Sequence, residues 1–241
     1  MLTRAALCVG VALATLLVTR AASACGVGAG GAAGLSGCSL AEHEEESRRK
    51  WRAGASYGLA STSLRFTGNQ RVSQTRHAAL ATLEHRPTPS LSVQAGLGGL
   101  LGEVSLGGQT FGFSPGVIGL LGASYRAVDP AGNGGLFMLL TSQLSFAATR
   151  ANDAPYTAVD LRLGVLFGKT FFDVLTPYAT ARVFGGPILW DVGGAPAQGT
   201  DVNKYQVGGG ATVLLARRFD LFVEGIPLGE RGLAAGAGYA F

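Results

Sequence analysis

The chain has 241 residues, 38 of them glycine, only 14% charged, with a formal net charge of +4. This length allows one or two ordinary domains, and no segment reads as a linker between two cores. The charge drops to +2 once Arg4 and Arg20 leave with an N-terminal leader, and no Lys/Arg run with interleaved aromatics is present, so nucleic-acid binding is excluded. So few charges imply that much of the surface does not face water. So many glycines in strand-like sequence imply close backbone approach or a narrow interior.

Arg4 precedes an apolar stretch, Ala5 to Val18, that is too short to cross a bilayer core of about 20 helical residues. Ala22, Ser23 and Ala24 then form a small-x-small cleavage site, so residues 1–24 read as an export signal peptide. Cys8 leaves with it. Cys25 and Cys38 remain, an even pair in an exported protein, which reads as one disulfide closing the Gly26–Gly37 loop. Lipidation of Cys25 is the rival reading, although Ala22 stands where lipoprotein signals usually carry Leu. Cys25, Cys38 and His43 match no metal-ligand spacing, and no metal or cofactor is expected. Ser39 and Glu42 set up a capping box, and acids 42–46 precede bases 48–50, which suits a short helix over 40–49. Residues 25–50 are thus a periplasmic segment ahead of the main domain, 51–241.

From Trp51 onward no run of 18 apolar residues occurs, and period-two alternation is widespread, the mark of strands with two unlike faces. Val159, Leu161, Leu163, Val165 and Phe167 oppose Ala158, Asp160, Arg162 and Gly164. Val207, Ala211, Val213 and Leu215 oppose Gln206, Gly208, Gly210 and Thr212. Leu233, Ala235, Ala237, Tyr239 and Phe241 oppose Ala234, Gly236, Gly238 and Ala240. The pattern predicts ten strands near 51–66, 76–85, 90–101, 116–127, 135–148, 156–168, 176–188, 204–216, 219–227 and 231–241, with eight or twelve as alternatives. Several reach the roughly ten residues that a tilted membrane strand needs. The predicted fold is therefore all-β, a single closed antiparallel up-and-down transmembrane barrel preceded by the short helix.

Odd-numbered connections, at 67–75, 102–115, 149–155, 187–203 and 228–230, are mostly longer than the even ones at 86–89, 129–134, 169–175 and 217–218. Membrane barrels alternate in this way, with long outside loops and short periplasmic turns. Trp51, Tyr125, Phe167, Phe171, Phe172, Tyr205, Phe219, Tyr239 and Phe241 fall near strand ends, where interfacial aromatic girdles form.

The chain ends in Gly238, Tyr239, Ala240 and Phe241. A last strand of alternating apolar residues with a terminal aromatic resembles the C-terminal signal of Gram-negative outer-membrane β-barrel proteins. That resemblance implies an outer-membrane location, surrounding lipid, and the barrel-assembly machinery as a partner that reads Tyr239 and Phe241. No characterised subfamily is matched, and an external ligand stays unknown.

With apolar faces toward lipid, the opposite faces line the lumen. They carry Arg52, Glu84, Arg126, Asp160, Arg162, Arg182, Lys204, Asp220 and Glu224 among Ser, Thr, Gln and Gly. Mixed signs in a narrow barrel suggest ion pairs that fill the space, because a buried charge is costly unless paired. The expected function is structural or transport-type, with a narrow channel for small solutes as one alternative. A soluble exported lipocalin-like barrel, apolar inside and polar outside, is another. No enzyme is expected. His43, His77 and His85 are the only histidines, His77 alone falls near an outer rim, and no catalytic motif accompanies it.

Overall fold

A computed structural model describes residues 50–67, 70–130, 133–151, 153–192, 195–215 and 218–241. The signal peptide, the Cys25–Cys38 disulfide, His43 and the 40–49 helix lie outside the described residues. Thirteen strands form one sheet: β1 (Trp51–Phe66), β2 (Gln70–Thr88), β3 (Leu91–Leu106), β4 (Gln109–Gly112), β5 (Gly116–Val128), β6 (Leu136–Ala151), β7 (Ala154–Lys169), β8 (Leu175–Gly185), β9 (Ile188–Val192), β10 (Ala195–Asp201), β11 (Tyr205–Leu215), β12 (Phe219–Gly229) and β13 (Arg231–Ala240). Every pairing is antiparallel, and β1 pairs with both β2 and β13, which closes the ring. β8 and β9 run consecutively along β7, β10 and β11 form the next stave, and β4 only extends β3 as a hairpin. The wall is therefore a ten-strand closed antiparallel barrel. The two ends of the domain meet at its lower rim, where the Phe241 N–H donates to the Trp51 carbonyl at 2.9 Å.

Alternation sets which side chain points where. On β3, Val93, Leu97 and Leu101 are exposed while Ser92, Gln94 and Leu100 are buried. On β7, Val159, Leu161, Leu163 and Phe167 are exposed while Asp160 and Arg162 are buried. Outward apolar positions continue for about ten residues on several staves, for example Trp51 to Leu59 and Val93 to Leu101, while on β2 the run is Ala79 to Leu83 between His77 and His85. At the usual rise per residue and barrel tilt, ten residues make an apolar belt about 25 Å tall. All nine aromatics of the expected girdle are exposed. Eight of them, Tyr205 excepted, lie toward the rim where Trp51 and Phe241 meet.

Above the belt the pattern reverses. Leu64, Phe66, Val72, Val104, Phe113, Tyr156, Ile188 and Trp190 are buried in one apolar cluster, while Ser61, Ser63, Arg65, Arg71, Ser73, Glu103, Gln109, Thr110 and Arg150 are exposed. This crown has the polarity of a water-soluble barrel. It also corrects the expected long outside loops. The segments 67–75, 102–115, 149–155 and 187–203 are largely strand: β2 begins at Gln70, β3 runs to Leu106, β6 and β7 meet near 152, and β9 and β10 form a hairpin. Their alternation was hidden because the apolar residues switch from the outer to the inner face. β12 and β13 stop below the crown, and β10 fills the gap above them by pairing Thr200 and Gly199 with Arg65 and Phe66 of β1.

The expected turn at 86–89 is shorter than predicted. β2 continues to Thr88, and its pairing with β3 shifts register between His85 and Thr88. Pro87 has no N–H for the ladder, which explains the irregularity at that point.

Candidate functional site

The barrel interior concentrates the polar chemistry, in tiers. Nearest the lower rim, Arg52 makes a two-bond contact with Asp220, Nε to Oδ2 at 2.9 Å and Nη2 to Oδ1 at 2.5 Å. Glu84 stands 3.8 Å from the same guanidinium and takes a 3.3 Å bond from Arg86. Next along the axis, Arg182 grips Glu224 with two bonds at 2.8 and 2.9 Å, and the Tyr178 hydroxyl donates to Glu224 at 3.1 Å. The uppermost tier centres on Glu230, which is fully buried. It accepts from Arg76, from Arg162 at 2.9 Å and from Gln206 at 2.9 Å. Arg162 also bonds Asp160 at 2.5 Å and lies 4.7 Å from the Phe184 ring centre.

The wall makes room for these large groups with glycine. A Cβ on Gly238 would run into the Arg52 guanidinium, so the Arg52–Asp220 pair needs hydrogen at that position. Gly229 has φ +85° and is pressed against the Tyr205 carbonyl, which turns the β12–β13 tip so that Glu230 enters the lumen.

The interior carries Arg52, Arg76, Arg86, Arg126, Arg162 and Arg182 against Glu84, Asp160, Asp201, Asp220, Glu224 and Glu230. The signs balance. Above this stack lies the apolar roof, with Trp190 edge-on to Phe66 at 5.8 Å and to Phe111 at 6.1 Å. Inside the crown, Gln74 donates to the Tyr156 hydroxyl at 2.9 Å, and Thr62 donates to Asp201 at 3.0 Å. Burial pushes the Asp201 carboxyl up to about 6, with the nearby Glu230 charge adding and Arg76 opposing. At the lower mouth, Arg86, Ser90, Ser92, Ser124 and Arg126 line a recess of about 10 Å³, room for a single water.

Of the residues expected in the lumen, Arg52, Glu84, Arg126, Asp160, Arg162, Arg182, Asp220 and Glu224 point inward. Lys204 does not. It lies between β10 and β11 and is exposed, because the chain leaves the ladder there and the face alternation restarts at Tyr205. Tyr239 and Phe241 are exposed at the lower rim. Sequence reasoning missed Arg76, Arg86, Asp201 and Glu230, Arg86 because it fell in the segment read as the 86–89 turn. Arg76 shares the even-numbered face of Glu84, a signal that was present. Asp201 and Glu230 fell in segments read as loops, where no face is assigned.

Two histidines lie on the outer wall. The Tyr57 hydroxyl and His77 Nδ1 are 2.7 Å apart on the exposed face, and His85 stacks on Trp51 with ring centres 4.2 Å apart. Among the described residues no carboxylate is paired with either one. Among the described residues no cluster of His, Cys, Asp and Glu has the makings of a metal site.

Barrels of several kinds resemble this one in the comparison with solved structures. An outer membrane channel from Pseudomonas putida F1 superposes with a TM-score of 0.46 at 10% identity, covering 80% of this chain and 96% of that one. The translocator domain of the autotransporter NalP from Neisseria meningitidis gives 0.44 at 12% identity, covering 80% and 88%. The outer membrane protease OmpT from Escherichia coli gives 0.47 at 11% identity, covering 80% and 97%. No protein-family model and no curated protein matches the chain. A channel, a translocator and a protease share no activity, so none is carried over.

Proposed function

We propose that this chain is an outer-membrane β-barrel of structural type whose lumen is closed rather than conducting. The supporting observation is the interior stack, in which Arg52 with Asp220, Arg182 with Glu224, and Arg76 and Arg162 with Glu230 form successive ion-paired tiers beneath an apolar roof that includes Trp190. An open pore keeps water and usually a net field of one sign in its narrowest part. Here guanidinium–carboxylate contacts at 2.5–2.9 Å occupy that position and the charges balance. The belt, apolar outside and polar inside, favours membrane residence. The lipocalin-like alternative requires the reverse, which occurs only in the crown. In this reading the export signal, the terminal Tyr239 and Phe241 as an assembly signal, and lipid as the surrounding partner belong together.

Two experiments test it. Membrane fractions run on gels unheated and boiled are expected to show a mobility shift for the folded barrel; a protein recovered in the soluble fraction without detergent overturns membrane residence. Purified protein added to planar bilayers is expected to give no current steps. Reproducible steps would establish the narrow-channel alternative instead.

A further inference from the structure

On the outer wall of the crown, Arg65 of β1 lies directly opposite Arg71 of β2 in the antiparallel register. Both are exposed, and their chain neighbours Leu64, Phe66 and Val72 point inward. Directly opposed residues on one face have Cβ atoms about 5 Å apart, and like charges so placed repel. Neither guanidinium has an acidic partner among the described residues. Around them the outward positions bear hydroxyl and amide groups: Ser63 opposite Ser73, Thr200 opposite Arg65, and Gln198 beyond it. Below, Arg231 is exposed where β13 meets Ser61 at the top of the apolar belt.

Two arginines paired in register on one outward face and flanked by neutral hydroxyl and amide side chains offer the paired N–H donors that an oxyanion accepts. Their height identifies the source. Ser61 ends the outward apolar run on β1, and Arg65 lies four residues farther along, about 10 Å at ordinary rise and tilt. An arginine side chain is long enough to reach back from there into a headgroup layer.

We propose that Arg65 and Arg71, with Arg231 beneath them, clamp the phosphate of an anionic lipid headgroup in the leaflet at the crown end. This rests on the membrane reading above. The bound phosphate offsets the repulsion built into the β1–β2 hairpin and fixes that hairpin to the bilayer surface.

The test uses the whole protein in nanodiscs of phosphatidylcholine containing one-fifth phosphatidic acid, with bound lipid counted by native mass spectrometry after release. The wild type is expected to retain phosphatidic acid at least threefold above its share. R65Q/R71Q is expected to lose that enrichment while keeping the heat-dependent gel shift, and R150Q, a crown arginine on β6, is expected to keep both. No enrichment in the wild type, equal enrichment in R65Q/R71Q, or equal loss in R150Q overturns the clamp. Displacement of the lipid by millimolar inorganic phosphate at constant ionic strength overturns the lipid as its source. Absence of a heat-shifted barrel in every lipid strikes the membrane reading itself, a separate outcome.

Discussion

Glu230 joins three side chains in the lumen, and its removal is a telling single change. Arg76, Arg162 and Gln206 all donate to it. Glu230→Ala would leave two guanidiniums facing each other in a buried space, a loss of about 3–5 kcal/mol by analogy with other broken buried pairs. The check is the denaturation midpoint in detergent. The Arg182–Glu224 pair tests the converse. R182M and E224L are each expected to destabilise strongly, while the double variant recovers most of the loss, since a matched apolar pair carries no desolvation penalty. Glycines divide the same way. Gly238→Ala collides with the Arg52 guanidinium and is expected to weaken the barrel, whereas Gly99→Ala, on the outer face with no neighbour within 4 Å, is expected to be silent. At this scale the sequence was partly legible. Alternation alone placed Asp160, Arg162 and Glu224 inward, since each sits mid-strand between apolar neighbours. It could not say which cation meets which anion, because Arg76 and Glu230 lie 154 residues apart and only ring closure brings them together.

Among elements, the crown behaves unlike the belt although the same strands build both. Leu97 is 69% exposed at the centre of the outward run from Val93 to Leu101, so Leu97→Arg is expected to cost about 2–4 kcal/mol in lipid. Gln109→Arg, on the exposed β4 tip of the crown, is expected to change stability by less than about 0.5 kcal/mol. Asp201 gives the crown a pH response. Its carboxyl lies near 6 when folded, above the ordinary 3.8, so folding favours the protonated form. That contribution is full below pH 4 and is lost as pH rises through 6, on the order of 3 kcal/mol. Hydrogen exchange of β10 is expected to slow from pH 7 to pH 5 beyond the intrinsic rate change, and Asp201→Asn is expected to abolish the extra slowing. The β9–β10 hairpin was not legible as strand. Its sequence is rich in Gly, Pro and Ala, and the residue that anchors it, Trp190, faces an interior that the belt pattern had assigned to polar groups.

Across the whole molecule, the ten-stave ring was read correctly because each stave crosses the belt once with the same two-faced pattern. The apolar roof was not foreseen, because a pattern that inverts part-way along a strand averages to none. Closure itself has a kinetic consequence. Nine neighbouring pairs join staves that follow one another along the chain, whereas β1 closes the ring against β13 along the belt, with Arg52 opposite Ala240, and against β10 in the crown. A ribbon rolled into a tube has one seam, and along the belt that seam can be sewn only after β13 is synthesised. Until then both margins offer unsatisfied backbone donors and acceptors to any neighbouring chain, the hazard of an open sheet edge. A chain truncated before Arg231 is therefore expected to accumulate as aggregate rather than as a smaller tube, because nine staves leave that seam open along the belt.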